Sequence, residues 1–510
     1  MTDYNNAATI SNTERWLITI TVMLVAVIEV IDITIVNVSL PNMMGSLSAN
    51  FEEITWVLTS YIVSAAIFMP LTGFLVKRYG RRRLLLANII GFMSASFLCG
   101  LSTSLFEIVL FRTLQGIFGA SLVPLSQFIL RDTFPKSEQG KAMAIWGIGI
   151  MAGPILGPAL GGYITDLLNW RWIFFINIPV CMVAFIMTLN LISETPTQRV
   201  KIDWLGLSLM TTGIGCLQIF LDRGNIDDWF ASKTIICLFF ICITALTLFI
   251  VRGIRRDDNI INLQLFRDPN FGTCSFLMMT FGICLFGMLA VQPLMMINLF
   301  NYSTTLAGLV MAPRGLASAF GMVFVARTIK IYDPRLIVSS GLIFAAIGTY
   351  FMSRYNLMTD VYFMIWPALI QGFGMGLFFV PLTVLAFDTL IPQDAAEAAG
   401  LFSFSRNLGS SIGISICSTL LSRQNQVHWN TLGGHLQPAN PLLHVWLSQH
   451  HTSIQSPLAL LQLMNTLRQQ AGMLSFINIY WFLTIGFIVM LPLIYTMKRP
   501  KAAGVQDLMH

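Results

Sequence analysis

The chain falls into fourteen apolar runs of about twenty residues each, near 16–38, 54–76, 84–101, 107–130, 142–165, 172–194, 204–221, 233–252, 270–292, 305–328, 336–353, 362–386, 398–421 and 476–497. As a helix, a run of that length crosses a hydrocarbon core of about 30 Å, at about 1.5 Å per residue. Membrane barrel strands would be shorter and strictly alternating, and that pattern is absent. The expected fold class is therefore all-α, a polytopic membrane protein. Composition supports this: 55% of residues are hydrophobic and 11% charged, whereas a soluble domain carries roughly 25% charged residues. The opening segment, MTDYNNAATISNTERW, has neither a basic n-region nor a small-residue cleavage site. The first run thus reads as an uncleaved signal anchor.

The polar breaks divide into two faces. One carries Arg15, the run KRYGRRR (77–83), Arg131, Lys136, Lys141, Arg199, Lys201, Arg252, Arg255, Arg256, Arg267, Arg327, Lys330, Arg335, Lys498, Arg499 and Lys501. The other has Arg171, Arg223, Lys233, Arg354, Arg423 and Arg468. The positive-inside rule then places both termini in the cytoplasm, in agreement with an even number of spans. The net charge of +6 reflects this topology, and no nucleic-acid partner is expected. All eight cysteines fall in expected spans without metal-ligand spacing and read as small core hydrophobes. The histidines lie outside the spans, most of them at irregular spacing in the outer loop 422–475, and no metal site is expected.

LQGIFGASLVPLS (114–126) is repeated as IQGFGMGLFFVPLT (370–383), each copy followed by a proline-led loop. Two six-span halves and a central pair reproduce the count of fourteen. Such repeats facing one another across a midplane site are the architecture of secondary transporters. The expected organisation is a terminal segment 1–15, an N-terminal bundle 16–194, two additional helices with linkers over 195–269, a C-terminal bundle 270–497 and a tail 498–510. Within 422–475, SPLALLQLMNTLRQQAGML (456–474) reads as an amphipathic helix leading into the last span.

Within the first run, VIEVIDITIVNVSLP (27–41) holds Glu29 and Asp32, three residues apart and so on one helical face. Arg112, in LFRTLQGIFGA (110–120), stands inside the fourth run, where an unpaired guanidinium costs at least roughly 2.5–3.5 kcal/mol. Counting helical rise from the basic face puts Arg112 at about 21 Å, Glu29 at about 20 Å and Asp32 at about 24 Å. Matching depths predict a charge pair or triad between the first and fourth spans. With no histidine in the spans, proton chemistry falls to carboxylates.

GIGIMAGPILGPALGG (147–162) places Gly149, Gly153 and Gly157 every fourth residue, with Pro154 and Pro158 expected to kink the helix and Gly161 and Gly162 to close it. Close helix packing explains such a face, but the added prolines favour a hinge or seal. GFLVKRYGRRRLL (73–85) joins the second and third spans through a tight link at Gly80. Its basic residues fix topology, and the short turn couples two helices. Arg314 and Arg406 lie within the tenth and thirteenth spans and serve either as caps to backbone carbonyls or as cavity residues. Asn37 and Gln115 are further cavity candidates. No Walker-type sequence occurs, and no span holds a nucleophile–base pair or a metal-binding set. No catalytic residue and no cofactor are therefore expected.

Taken together, IDITIVNVSLP (31–41), GFLVKRYGRRR, RTLQG, GPILGPALGG, WRWIFFINIP (170–179) and LDRGNIDDWF (221–230) resemble the major facilitator superfamily. Within it they are similar to the fourteen-helix drug:proton antiporters of the EmrB/QacA type. The resemblance implies proton-driven export of hydrophobic toxic compounds from the bacterial inner membrane. It also implies Asp32 as the proton carrier, Arg112 as its assistant and the span-five motif as the seal of the closed state. A periplasmic adaptor of the EmrA type and an outer-membrane channel of the TolC type are implied as partners. The loop motif maps onto Gly73, Lys77, Arg78, Gly80 and Arg81, but Lys77 stands where the common pattern has an acid and cannot form an acidic latch. Glu29 is extra to the pattern, and remains open as a second proton site, a cation-attracting group or a partner for Arg112. Export of an endogenous metabolite, such as a siderophore or lipid precursor, and solute import by proton symport are the rival readings.

Overall fold

Ser11, Ser104, Asp268, Ser303, Asp333 and Asp360 each accept a hydrogen bond from a backbone N–H in the first turn of a long helix, satisfying donors that a helix start leaves free. The computed structural model describes residues 11–198, 203–255, 260–329, 331–437, 440–449 and 456–497. Arg199, Lys201, Arg256, Lys330, Lys498, Arg499, Lys501, His450, His451 and His510 lie outside the described residues, as does the tail 498–510.

Fourteen long helices follow in order: α1 (Asn12–Leu47), α2 (Trp56–Tyr79), α3 (Arg81–Leu101), α4 (Leu105–Thr133), α5 (Lys136–Leu167), α6 (Trp172–Leu191) and α7 (Trp204–Arg223). Then come α8 (Lys233–Arg255), α9 (Pro269–Asn298), α10 (Thr304–Thr328), α11 (Pro334–Met352), α12 (Val361–Asp388), α13 (Ala395–Gly433) and α14 (Pro457–Ile494). Among the described residues there is no strand, and twelve of these helices are long and apolar enough to cross a membrane. The other two, α5 and α13, are held between neighbours: α5 packs on α1 and α10, and α13 on α9, α2 and α4. The chain is an all-α, multi-pass membrane protein.

The two halves, α1–α6 and α9–α14, repeat one packing scheme. Gly153 of α5 lies against Val30 of α1, while Gly409 and Gly413 of α13 lie against the Met279 and Ile283 backbone of α9. Of the additional pair, α7 bridges the seam between halves and α8 packs on α7. Asp222 of α7 accepts from Thr59 of α2, and Ser415 of α13 donates to the Leu221 carbonyl of α7 at 2.7 Å.

The stretch 422–475, expected as a loop apart from the amphipathic helix over 456–474, is mostly helix. α13 runs on to Gly433 and α14 begins at Pro457, with the short helix Pro441–Gln449 between them. α13 has 39 residues and α14 has 38, nearly twice the roughly 20 a bilayer needs. Their outer ends form a hairpin, tied by Asn478 donating to Gln424 at 3.1 Å and capped by a cluster of Leu443, Leu447 and Ala459. A polar segment outside the bilayer loses its apolar run but not its helical backbone, which is why hydropathy alone reads it as a loop.

Candidate functional site

Asp32 projects from α1 into the interior of the N-terminal half, fully buried, and meets Arg112 of α4, also fully buried. Arg112 Nη1 donates to Asp32 Oδ2 at 2.6 Å and to Gln115 Oε1 at 2.8 Å, and Nε donates to the Val57 carbonyl of α2 at 3.1 Å. Gln115, nearly one turn further along α4, turns its amide to Asp32 Oδ1 at 2.9 Å. Asn177 of α6 donates to the same oxygen at 2.8 Å and to Ser96 Oγ of α3 at 2.8 Å. The Arg112 guanidinium lies 4.3 Å from the centre of the Tyr61 ring of α2, a cation–π contact. Five helices thus converge on one carboxylate, and both its oxygens are satisfied. A buried ion pair survives only with such completion, and removing one partner costs about 3–5 kcal/mol.

Glu29 lies one turn nearer the basic face and does not join this network. Its Oε2 accepts from the backbone N–H of Val123 at 3.2 Å. α4 breaks its regular pattern at Ala120 and Ser121, just before Pro124, so the Val123 N–H is free for a side-chain acceptor. In the repeat, α12 runs unbroken through Pro381, and no acid is needed there. The charge that acts on Glu29 most strongly is Arg406 of α13, in the other half. Of the pair or triad expected, the pair forms, and Glu29 stands apart from it.

On the basic face the halves meet directly. Lys77 Nζ of α2 lies 2.6 Å from Glu397 Oε2 of α13, and Glu397 also accepts from the Asn262 backbone N–H. Gly73 leaves the space that α13 occupies: a Cβ there would meet the Glu397 backbone nitrogen at 2.8 Å. Arg131 of α4 donates to the Phe387 carbonyl of α12 at 2.5 Å, and Trp146 of α5 stacks on Phe379 of α12 with centroids 6.2 Å apart. These contacts run from the basic end to mid-bundle, so the basic side of the cleft is shut. The latch that Lys77 was expected to lack exists with its charges exchanged: the base is on the loop motif and the acid on the opposite half.

The rest of the loop motif holds its own half together. Gly80 takes φ +85°, and a Cβ there would run into Glu194, whose carboxylate accepts from the N–H groups of Arg82 and Arg83 at 3.0 and 3.1 Å. Arg81 pairs with Asp132 at the end of α4 and donates to the Ser193 carbonyl at 2.9 Å. Arg78 rests on the Tyr79 ring. The motif therefore ties α2 and α3 to α4 and to the segment after α6, beyond the coupling of two helices expected from its length.

The profile of the Major Facilitator Superfamily matches residues 22–414. The chain belongs to that superfamily. It is 36% identical over 493 residues to the multidrug export protein EmrB of Escherichia coli K12, covering 96% of each chain. It is equally 36% identical to the fatty acid resistance protein FarB of Neisseria gonorrhoeae, covering 96% of this chain and 97% of that one. The human organic anion transporter MFSD10 (TETRAN) shares the fold at a TM-score of 0.63 and 13% identity, covering 94% of this chain and 99% of that chain.

In this member of the Major Facilitator Superfamily, the glycine–proline segment packs within one half. Gly149, Gly153, Gly157 and Gly161 face Met23, Val27, Val30, Thr34 and Ile35 of α1, the helix that carries Asp32. Only the preceding glycines, Gly140 and Gly147, reach α10, at Ile329 and Met322. The helix containing Pro154 and Pro158 is continuous and does not close at Gly161 and Gly162 but extends to Leu167. At Gly153 a Cβ would sit 2.6 Å from Val30 Cγ1, whereas at Gly162 the nearest atom is 3.9 Å away. Gly153→Val is expected to force α1 from α5 at a cost of about 1–3 kcal/mol, with loss of export, while Gly162→Ala retains both. Thermal unfolding and resistance assays of the two variants check this.

Of the cavity candidates, Arg406 lines a narrow gap between the halves with Gln127, Met278, Phe379, Phe402 and Ser403. Asn37 is exposed on the outer half of α1 and donates weakly to its own helix at 3.5 Å. Gln115 is not on a cavity wall, because its amide is committed to Asp32 and Arg112. Arg314 lies inside the C-terminal half, donating to the side-chain amide oxygen of Gln292 and not to a backbone carbonyl. Residues without a sequence signal strong enough to single them out are Asn177, Ser96 and Glu397. Asn177 lies in the WRWIFFINIP segment, where an amide among apolar neighbours was the available clue.

Proposed function

We propose that this chain exports hydrophobic toxic compounds from the bacterial cytoplasm or inner leaflet, driven by inward proton flow through alternating access. The observation that carries the reading is the fully buried Asp32–Arg112 pair, a carboxylate–guanidinium contact that proton binding would undo. In this shape Asp32 is held by three donors, and the cytoplasmic side is shut by Lys77–Glu397 and α13. A proton arriving from the outer side adds to Asp32 and removes its charge. Arg112 then keeps only the Val57 carbonyl and Gln115 as acceptors. α1 shifts along the glycine face of α5, which presents no side chain to it at Gly149, Gly153, Gly157 and Gly161. The opposite shape would open the cytoplasmic side, admit a substrate and lower the retention of that proton. Glu29, facing Arg406 across the seam, is the second carboxylate able to sense the approach of the halves.

Placement in the inner membrane with both termini in the cytoplasm follows from the basic face. Two relatives, the multidrug export protein EmrB and the fatty acid resistance protein FarB, support amphiphilic substrates. The outer hairpin of α13 and α14 is where an EmrA-type adaptor leading to a TolC-type channel would sit. Work is done by the proton gradient, without a cofactor, and no chemistry on the substrate is implied. A toxicity screen with and without the gene, in acidic and alkaline medium, tests the reading. Expression is expected to raise tolerance to lipophilic compounds, most strongly in acidic medium; no gain against any compound at either pH would overturn it.

A further inference from the structure

The C-terminal half contains its own buried guanidinium, and among the described residues no acid pairs with it. Arg314 of α10 is 5% exposed and donates from Nη2 to Gln292 Oε1 of α9. Its Nε and Nη1 have no hydrogen-bond partner, and among the described residues no carboxylate forms an ion pair with it. Two groups beside it are also unsatisfied: Gln292 Nε2, and Gln371 Oε1 of α12. Gln371 donates to Met288 Sδ at 2.7 Å, and Met288 and Gln292 are one turn apart on the same face of α9. The ionisable groups that act on Arg314 are two phenols, Tyr355 and Tyr480, which already donate to the Met364 carbonyl at 3.1 Å and to Met295 Sδ at 3.5 Å.

The internal repeat sharpens the contrast. Gln371 is the counterpart of Gln115, and Gly372 of Gly116. Gly116 approaches Tyr61 of α2, the ring beneath Arg112, and Gly372 approaches the backbone of Arg314 itself. The N-terminal half therefore surrounds its guanidinium with a carboxylate from the chain, and the C-terminal half supplies the cation and amides alone. A desolvated cation with free N–H groups requires a negative partner. We infer that Arg314, with the free Gln292 amide N–H, binds a compact monovalent anion, either the carboxylate of an amphiphilic substrate or a free inorganic anion. The first case rests on the export reading and narrows it to substrates that carry an acid group.

Titration calorimetry on the purified full-length protein in detergent tests this, using sodium chloride and sodium octanoate against a gluconate background. Saturable heat with octanoate alone assigns the anion to substrate, and saturable heat with both assigns it to compact anions in general. Arg314→Gln should weaken binding by at least about tenfold, and Arg314→Lys, which keeps the charge but not the planar fork, by less. Absence of saturable binding to the wild type, or equal affinity in a folded Arg314→Gln protein, would overturn the site. Because the titration needs neither gradient nor transport, that failure would leave the export reading standing. A negative toxicity screen would in turn leave the binding result intact.

Discussion

Replacing Asp32 with asparagine is expected to reduce resistance to that of cells lacking the gene, while the protein still inserts and folds. The asparagine side chain can still accept from Arg112, but it carries no charge and takes up no proton. Because Arg112 then stands buried without a counter-charge, the variant should lose about 3–5 kcal/mol of stability. The double variant Asp32→Asn/Arg112→Gln removes both charges and should regain most of that loss. It should not regain export. Thermal unfolding of the three proteins beside resistance assays separates the structural part of the pair from the coupling part. Full resistance in the Asp32→Asn strain would remove Asp32 from the mechanism.

The second large effect is expected at the latch. Lys77→Glu opposes two carboxylates where α13 now packs on α2, and Glu397→Lys opposes two ammonium groups. Either change disfavours the shape with its basic side shut. With Glu397 buried and Lys77 partly buried, loss of the pair is of the order of 3–5 kcal/mol, enough to move a two-state equilibrium by two to three decades, at about 1.4 kcal/mol per tenfold. The exchanged double variant Lys77→Glu/Glu397→Lys restores the attraction, though not the bond from the Asn262 N–H, so a partial recovery is expected. Distances between spin labels on the basic ends of α2 and α13 read the change. Unaltered distance distributions in both single variants would show that the pair does not hold the halves together.

The parts of this molecule that were legible in its sequence are those where the membrane makes polarity expensive. Asp32 and Arg112 stand out because each is a charge inside an apolar run at a similar depth, and the structure joins them at 2.6 Å. The repeat, the fourteen helices and the resemblance to the superfamily followed from apolar run lengths and ordered motifs. Asn177 and Ser96 complete the site but carry no charge, so depth arguments did not isolate them. The placement of Glu29 depends on the break in α4 that frees the Val123 N–H, a departure from regular helix that spacing alone does not reveal. Glu397 lies in IPQDAAEAAG, at the edge of a span, where an acid attracts no notice until α13 is seen against Gly73. The glycines and prolines of α5 favour a hinge or seal because their density exceeds ordinary packing; the structure sets the glycines against α1, where Gly153, Gly157 and Gly161 leave no room for a side chain.

The central claim is that proton occupancy of one buried carboxylate is exchanged against substrate. Its most direct measurement is proton release from the purified protein in weakly buffered detergent solution, read with a pH indicator as a lipophilic compound from the toxicity screen is added. The account predicts that substrate binding releases protons from the wild-type protein and none from Asp32→Asn, at equal substrate occupancy. Equal release from both proteins would contradict it.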